Sequence, residues 1–360
     1  MKNSNIEWCD HTFNPWEGCT KVSPGCANCY AETRNARFGG GTAVNWGKGA
    51  PRRRTSASNW NQPVKWNAEA GKIMRELHNV SRSEYDQVDY ERPRVFCASL
   101  ADWLDDEVPI EWLADLLDLV RRTPNLDWLL LTKRPENCCN RLGRLRGSYY
   151  DMCRAEKPVS KSYTAAVTFA EHWLFGASCL DGTFADYKHG ETPPTPPANV
   201  WIGTTVEDQA RADERIPHLL SIPARVRFLS CEPLLGPVEF SDVTKRADCV
   251  AQLGKPVLHG IDWVICGGES GPKARPMHPD WARSLRDRCD AAGVPFLFKQ
   301  WGEWIPLEVP ADANAIEFTV DGVNKKVHQA GPISFANVGK RTAGRLLDGI
   351  EHNGFPGGAA

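Results

Sequence analysis

Six short apolar runs recur along the chain, and each is followed within a few residues by a charged side chain. They span 95–99, 128–131, 200–203, 226–229, 263–266 and 295–298. Each run is rich in residues that favour β-structure and is too short for a buried helix, so each predicts a strand. Because the runs are almost continuously apolar, they favour a parallel sheet that is covered on both faces.

Helical periodicity lies between these runs. Apolar residues recur at i, i+3 and i+4 in Glu111–Arg122, Gln209–Leu220 and Pro279–Ala292, and Gly293 is placed to end the last of these helices. Strands that alternate with helices form β/α units. The predicted fold class is therefore α/β, with a TIM-type (β/α) barrel that is partial or irregular.

One long interval, at about 143–199, interrupts the alternation. It is polar, contains Tyr149 and Tyr150, and ends in the Pro-rich Thr192–Pro197. We interpret it as an insertion in one βα connection, and the alternative is a surface excursion without a role of its own.

The tail beyond Pro306 has a different pattern. A turn at Asp321-Gly322 predicts a hairpin, and Lys340–Leu347 predicts a helix. We therefore expect a barrel over 1–305 and a small C-terminal hairpin-plus-helix extension over 306–360.

The composition narrows the class of protein. Hydrophobic residues make up 41% of the 360 positions and charged residues 24%, which excludes wholesale disorder, coiled coil and collagen. The net charge of −2 excludes a strongly basic nucleic-acid binder but not a local basic patch. No apolar run approaches the roughly 18–20 residues of a membrane span, and Met1–Asp10 lacks the apolar stretch of a secretory signal. We expect a cytoplasmic protein with no membrane association.

Three of the 13 cysteines lie close together near the N-terminus. Cys19, Cys26 and Cys29 fall within eleven residues, and Pro24-Gly25 bends the loop before the second cysteine. Thiolates are soft ligands that suit zinc or iron–sulfur clusters. Three ligands rather than four would leave one iron of a four-iron cluster open to another ligand.

Two alternatives stand beside the cluster. A structural zinc site needs a closed tetrahedron, and Cys9 or His11 could supply its fourth ligand. A disulfide is the other alternative, and it does not suit a reducing compartment.

Three N-terminal cysteines ahead of a β/α barrel resemble the radical S-adenosylmethionine superfamily. More closely, the chain resembles a phage- and prophage-associated, radical-SAM-like family of three-cysteine-motif proteins of unknown function. This resemblance covers most of the chain except the insertion. The matching segments are 6–8, 14–15, 18–32, 95–109, 129–135, 201–207, 228–237, 261–276, 295–302 and 338–349.

The resemblance implies a cofactor and an activity. Cys19, Cys26 and Cys29 would hold a [4Fe–4S] cluster, and the amino and carboxylate groups of S-adenosylmethionine would chelate the fourth iron. Reduction by a reductant protein would cleave the sulfonium and release a 5′-deoxyadenosyl radical, which abstracts hydrogen from a substrate. The resemblance also leaves open a protein partner.

The cysteine loop departs from the superfamily pattern at two points. Six residues separate the first two cysteines, where the superfamily has three. The residue before the third cysteine is Asn28 instead of the usual aromatic, and Tyr30 follows directly after that cysteine. Tyr30 is therefore the candidate for the adenine contact.

Strand-end residues supply the candidates for the amino group of S-adenosylmethionine. The superfamily often uses a Gly-Gly-Glu motif after its second strand, but Gly267-Gly268-Glu269 follows roughly the sixth strand here. Ser99 and Asp102 occupy the second-strand position, so the resemblance assigns the amino group to them. Their alternative role is a helix N-cap.

The residues after the predicted strand at 200–203, which stands in the superfamily's fourth-strand position, supply the other cofactor contacts. Thr204 or Thr205 would donate to the carboxylate of S-adenosylmethionine, and Glu207 would accept from ribose hydroxyls. Capping of the following helix is again the alternative.

The candidate catalytic residues are also at strand ends, and they are Lys133, Glu232, Glu269 and Lys299. The loop 267–271 is glycine-rich and could present backbone N–H groups to an anion beside Arg275. Arg275 would then be one of four cations, with Lys133, Arg134 and Lys299. Four cations near one opening favour a phosphorylated or nucleic-acid substrate. The alternative is a set of rim charges paired with the nearby glutamates.

A basic triplet, Arg52–Arg54, lies near Trp46, Trp60 and Trp66. Cations beside aromatic rings are typical of a single-strand nucleic-acid contact, and the alternative is a solvated loop with core tryptophans.

The leading hypothesis is a radical S-adenosylmethionine enzyme that modifies or repairs a substrate, with a nucleic-acid base or nucleotide as the candidate. The second hypothesis is a cysteine-zinc module that binds nucleic acid or protein without radical chemistry. A third, a non-redox hydrolase, lacks a metal-ligand histidine pair at any predicted strand end.

Overall fold

The computed structural model describes residues 2–79, 91–174, 195–240, 258–307, 318–320, 323–330 and 333–357. The strands within these ranges are β1 His11–Phe13, β2 Trp16–Glu17, β3 Arg53–Arg54, β4 Arg94–Cys97, β5 Asp127–Thr132, β6 Val200–Thr205, β7 Val226–Cys231, β8 Trp263–Gly267, β9 Phe296–Gln300, β10 Trp304–Leu307, β11 Phe318–Val320, β12 Val323–Lys325, β13 Val327–Ala330 and β14 Ile333–Asn337. The helices are α1 Tyr30–Phe38, α2 Ala57–Trp60, α3 Gln62–His78, α4 Ile110–Arg122, α5 Asn137–Arg154, α6 Lys161–Leu174, α7 Gln209–Ser221, α8 Pro279–Ala292 and α9 Lys340–Ala343.

The fold is mixed α/β. Among the described residues, seven strands form the largest sheet, in the order β1-β4-β5-β6-β7-β8-β9. Pairing is parallel between β1 and β4, β4 and β5, β7 and β8, and β8 and β9. All six predicted strands are confirmed as β4 to β9, and the three predicted helices are confirmed as α4, α7 and α8.

The chain divides into two compact units. Unit 1 holds the described residues of 1–20, 31–203 and 221–226, and unit 2 holds 21–30, 204–220 and the described residues from 227 onward. Cys19 therefore lies in unit 1, whereas Cys26 and Cys29 lie in unit 2.

In unit 1, helix α4 buries its apolar face, which includes Leu113, Leu116 and Leu117. This helix packs against α6, which lies inside the predicted insertion. Trp173 of α6 is fully buried and stacks on Trp103, with ring centroids 6.4 Å apart. The interval at 143–199 thus supplies part of the core of unit 1, and residues 175–194 lie outside the described ranges.

Unit 2 contains β8 to β14, α8 and α9, together with all but the first residue of β7 and all but the last residue of α7. Helix α8 ends at Gly293, whose φ of 66° is left-handed and confirms the predicted stop. In the tail, β11 and β12 pair antiparallel as the predicted hairpin requires, although the turn at 321–322 lies outside the described residues.

The predicted helix at Lys340–Leu347 is only partly correct. The helix ends at Ala343, because Gly344 adopts a φ of 69° and a ψ of −159°, which no α-helix contains. In the parts of the chain that the structure describes, no helix has both the length and the apolar character needed to cross a bilayer.

Candidate functional site

The cysteine loop consists of a short 3-10 turn and the start of a helix. Pro24–Cys26 forms the turn, with proline at its first position, and α1 begins at Tyr30. Cys26 is buried and its Sγ lies 3.7 Å from Ser23 Oγ, whereas Cys19 and Cys29 are partly exposed. The Tyr30 side chain is exposed.

In unit 1, an arginine faces the first cysteine. The terminal nitrogens of Arg134 lie 3.5 and 3.6 Å from Cys19 Sγ, and one of them also donates to the Thr20 carbonyl over 2.6 Å. Burial raises the pKa of the Cys19 thiol to about 12, although the Arg134 charge acts in the opposite direction. Arg134 thus supplies the positive charge and the hydrogen-bond donors nearest this sulfur among its described partners.

Asp102 fixes Arg134. Its carboxylate accepts from Arg134 over 3.0 Å, from the Lys133 N–H over 2.8 Å and from Thr132 Oγ1 over 2.7 Å. It also accepts the N–H of Leu104 two residues on, so it forms a local turn and does not cap α4, which begins at Ile110. Asp102 therefore joins the end of β5 to the arginine that faces Cys19.

Ser99 lies at the other predicted amino-group position. Its hydroxyl is 3.0 Å from the Asn14 side-chain amide nitrogen, and Asn14 Oδ1 accepts the Leu100 N–H over 2.7 Å. Ser99 is thus tied to the segment that follows β1.

In unit 2, Glu207 holds the middle of the cysteine loop. Its Oε1 accepts the Gly25 N–H over 3.3 Å, and its Oε2 pairs with Arg215 over 2.8 Å. A Cβ on Gly25 would approach Glu207 Oε1 to 2.9 Å, so a glycine allows this close contact. Asp208, not Glu207, accepts the Arg211 N–H at the start of α7.

Two neighbours of Glu207, Thr204 and Thr205, are fully buried at the end of β6. The carbonyl of Thr205 accepts from Arg215 over 2.8 Å, so Arg215 joins the strand end to Glu207.

Glu269 contacts the end of the stretch 24–28 directly, at Asn28, and its start through Arg275, at Pro24. Arg275 pairs with Glu269 through two side-chain bonds of 2.7 and 2.8 Å and also donates to the Pro24 carbonyl over 3.0 Å. Asn28 donates to Glu269 over 3.1 Å and to the Lys273 carbonyl over 2.9 Å. Burial would raise the pKa of Glu269, but the hydrogen bonds from Arg275 and Asn28 outweigh it and lower that pKa.

The glycines before Glu269 permit close packing. A Cβ on Gly267 would lie 2.5 Å from Glu232 Oε1, and one on Gly268 would lie 1.9 Å from the Trp301 carbonyl oxygen. Glu232 in turn pairs with Lys299 over 3.0 Å, and both side chains are largely buried. The space beside these two glycines is therefore filled by the chain itself.

The basic triplet is paired within unit 1. Arg52 is buried and lies 2.8 Å from Asp105, and Arg53 pairs with Glu17. Arg54 pairs with Asp115 over 2.8 Å and lies 4.2 Å above the Trp60 ring. Each arginine of the triplet is thus paired with a carboxylate of the chain, and Arg52 is buried rather than solvated.

The structure brings the predicted residues together in two groups. In unit 1, Cys19 and Asp102 both contact Arg134, and Lys133 joins this group only through its backbone N–H to Asp102, whereas Glu207 and Glu269 hold the segment that carries Cys26 and Cys29 in unit 2. Within the described ranges, no three His, Cys, Asp or Glu side chains converge as a metal-binding group.

Two residues with contacts in the candidate site, Arg215 and Asn28, were not predicted as site residues from the sequence. Arg215 lies eight residues after Glu207 in α7, and Asn28 was noticed only as a departure from the superfamily pattern. Glu207 lies before α7, so its separation of eight residues from Arg215 is not a helical spacing and carries no signal of its own.

Comparisons with known proteins place the chain in a family. No curated protein and no solved structure matches it. A family model described as "Protein of unknown function (DUF5131)" matches residues 3–356. Because this match spans nearly the whole sequence, the chain belongs to the DUF5131 family.

Proposed function

We propose that the chain is a radical S-adenosylmethionine enzyme on a partial (β/α) barrel, with a [4Fe–4S] cluster bound by Cys19, Cys26 and Cys29. The observation that carries this proposal is the pair of contacts between the Arg134 guanidinium and Cys19 Sγ, at 3.5 and 3.6 Å. A buried cation with donors directed at a sulfur matches the outer-shell contacts that stabilise metal-bound thiolates.

The donor set fits such a cluster in kind and number. Three thiols occupy one eleven-residue segment, and iron–sulfur clusters are held by thiolates. Backbone and side-chain contacts to Arg134, Glu207 and Glu269 hold this segment at Thr20, Gly25 and Asn28. When bound, the cluster would supply reductive cleavage of S-adenosylmethionine to a 5′-deoxyadenosyl radical.

The chain's own residues have two tasks in this proposal. Arg134 donates to Cys19 and would offset the negative charge of that one thiolate, and Asp102 keeps its guanidinium in place. Ser99, Thr204, Thr205 and Tyr30 are the candidates for contacts to S-adenosylmethionine.

The carboxylates Asp102 and Glu207 already accept several bonds within the chain. A role for either in binding S-adenosylmethionine would therefore be shared with this structural role.

The substrate stays a prediction. Arg134, Arg275 and Lys299 each pair with a carboxylate of the chain, which corresponds to the interpretation of the strand-end cations as internal ion pairs. These ion pairs weaken the argument from strand-end charge for a nucleic-acid or nucleotide substrate.

The proposal is tested by metal analysis after anaerobic reconstitution with iron and sulfide. We expect about four iron and four sulfide per chain, with loss of both in Cys26→Ala. Cys153→Ala is the matched control, because Cys153 is exposed on α5 and should leave the cluster intact. Protein that takes up one zinc and no sulfide would instead support the cysteine-zinc alternative and overturn the proposal.

A further inference from the structure

The stretch Pro24–Asn28 covers the two residues before the Cys-x-x-Cys turn and the first three residues of that turn. Other residues of unit 2 hold it at three points. Glu207 accepts the Gly25 N–H, Arg275 donates to the Pro24 carbonyl, and Glu269 accepts from the Asn28 side chain. Asn28 lies between Cys26 and Cys29 in the sequence. A hydrogen bond that fixes its side chain therefore also restricts the backbone that carries both sulfurs.

The two carboxylates differ in how they are enclosed. The side chains of Glu207 and its partner Arg215 are 0% and 2% exposed. Glu269 is also buried, but the side chain of its partner Arg275 is 36% exposed. Glu207 therefore belongs to the core, whereas Glu269, Arg275 and Asn28 form an outer clamp on the turn.

We propose that Glu269 is a positioning residue for Cys26 and Cys29, acting through Asn28 and Arg275 rather than on a substrate. This inference rests on the proposed function and names the residues that prepare two of its ligands. The two oxygens of Glu269 accept four hydrogen bonds from Asn28 and Arg275, one of them from the Arg275 backbone.

The chemistry of the substitution sets the expected result. Glu269→Gln replaces one acceptor by an amide donor that faces donors of Arg275 or Asn28, so at least one bond is lost. Loss of a group that contacts a metal ligand directly typically weakens metal binding by about 10–100-fold. Glu269 contacts Asn28 and Arg275 and not a cysteine sulfur, so the lower end of that range applies. We therefore expect iron to leave the reconstituted protein about tenfold faster when a chelator is added.

The matched control is Glu303→Gln. Glu303 accepts the Gly271 N–H over 2.9 Å and so holds a different point of the same 268–275 loop. A general loosening of that loop would affect both variants, whereas a specific clamp on the cysteine turn predicts an effect of Glu269→Gln alone. Asn28→Ala serves as a second variant, since it removes the direct bond at a partly exposed position.

The experiment combines two measurements on the full chain. Chelator-driven iron release is followed on reconstituted wild type, Glu269→Gln, Asn28→Ala and Glu303→Gln, and amide hydrogen exchange of residues 21–30 is followed on the same proteins without metal. We expect faster release and faster exchange in the first two variants and wild-type behaviour in the third.

The two measurements separate the clamp from the cluster. If wild type binds a cluster and Glu269→Gln changes neither iron release nor exchange, the positioning role is wrong. Equal effects of Glu269→Gln and Glu303→Gln would also overturn it. If wild type binds no cluster while Glu269→Gln still accelerates exchange of the turn, the positioning of the two cysteines stands and the cluster proposal falls.

Discussion

Arg134 directs both terminal nitrogens of its guanidinium towards Cys19 Sγ, over 3.5 and 3.6 Å. The same group is paired with Asp102 over 3.0 Å, and the two side chains are 7% and 6% exposed. A buried carboxylate thus holds a buried cation against a cysteine sulfur. In a site of low dielectric constant the Arg134 charge is paired by the Asp102 carboxylate, and it opposes the burial that raises the pKa of the Cys19 thiol.

Removal of the Arg134 guanidinium should lower the free energy of unfolding. In Arg134→Met the buried Asp102 loses its charge partner, and breaking a buried pair in this way destabilises proteins by about 3–5 kcal/mol. We expect a loss of unfolding free energy in that range, measured by urea titration of the metal-free protein.

The control for this prediction is Arg154→Met. Arg154 also pairs with an aspartate, Asp151, but both side chains are about three-quarters exposed, at 76% and 75%. Surface pairs contribute at most about 1 kcal/mol. Similar losses for the two variants would show that Asp102 does not depend on Arg134.

The glycine before Glu269 is predicted to be required for packing. Gly268→Ala places a Cβ at 1.9 Å from the Trp301 carbonyl oxygen, which is backbone and cannot rotate away. We expect a loss of at least about 3 kcal/mol, the upper end of overpacking effects, together with a lower melting temperature.

A second glycine should respond in the opposite direction. Gly147 lies on α5 with no atom within 4 Å of an added Cβ, so Gly147→Ala should stabilise the chain by about 0.5–1 kcal/mol. If Gly268→Ala melts at or above the wild-type temperature, the close contact with Trp301 is wrong.

Glu232 and Lys299 should behave as a coupled pair. Their charged atoms are 3.0 Å apart, with side chains 13% and 16% exposed, so each single neutral variant leaves a largely buried charge. We expect Glu232→Gln/Lys299→Met to be more stable than the sum of the single losses predicts, by about 1–3 kcal/mol. Additive losses in the double-mutant cycle would mean that the two groups do not interact.

The Asp348 carboxylate predicts a pH dependence of stability. Hydrogen bonds from Arg283 and Arg286 lower the pKa of Asp348 from 3.8 to about 2. Because the folded-state pKa lies below the unfolded value, the stabilisation is complete above about pH 4 and is lost as the pH falls towards 2. The group is partly exposed, so the contribution at neutral pH is at most about 1 kcal/mol.

Asp348→Asn isolates this charge. Asp348 has a left-handed φ of 54°, which asparagine tolerates well, so the variant changes the charge with little backbone strain. The stability difference from wild type should be present at pH 7 and should shrink at pH 3. A difference that is constant between these values would contradict the assignment.

The fold was largely predictable because its central strands are buried along almost their whole length. The run in β5 includes Trp128, Leu129 and Leu130, all fully buried, and such runs stand out from their flanking polar residues. By contrast, β1 was missed, because it has three residues and two of them, His11 and Thr12, are polar. Short strands with polar side chains leave no periodic signal.

The contacts of the site were less predictable than its residue types. Gly25 and Glu207 are 182 positions apart, and Asn28 and Glu269 are 241 apart. Charged residues at strand ends are recognisable in a single sequence, but the loop that each one contacts is not. The bonds of Glu207 and Glu269 to Gly25, Asn28 and arginines of the chain are therefore visible only in the structure.

The central claim is the three-cysteine cluster with an open iron. Its most direct test is low-temperature electron paramagnetic resonance of anaerobically reconstituted, dithionite-reduced protein, recorded with and without S-adenosylmethionine, with Cys26→Ala in parallel. We expect a reduced four-iron signal that changes when S-adenosylmethionine is added and is absent from Cys26→Ala. Protein that contains zinc and gives no cluster signal after reconstitution would contradict it.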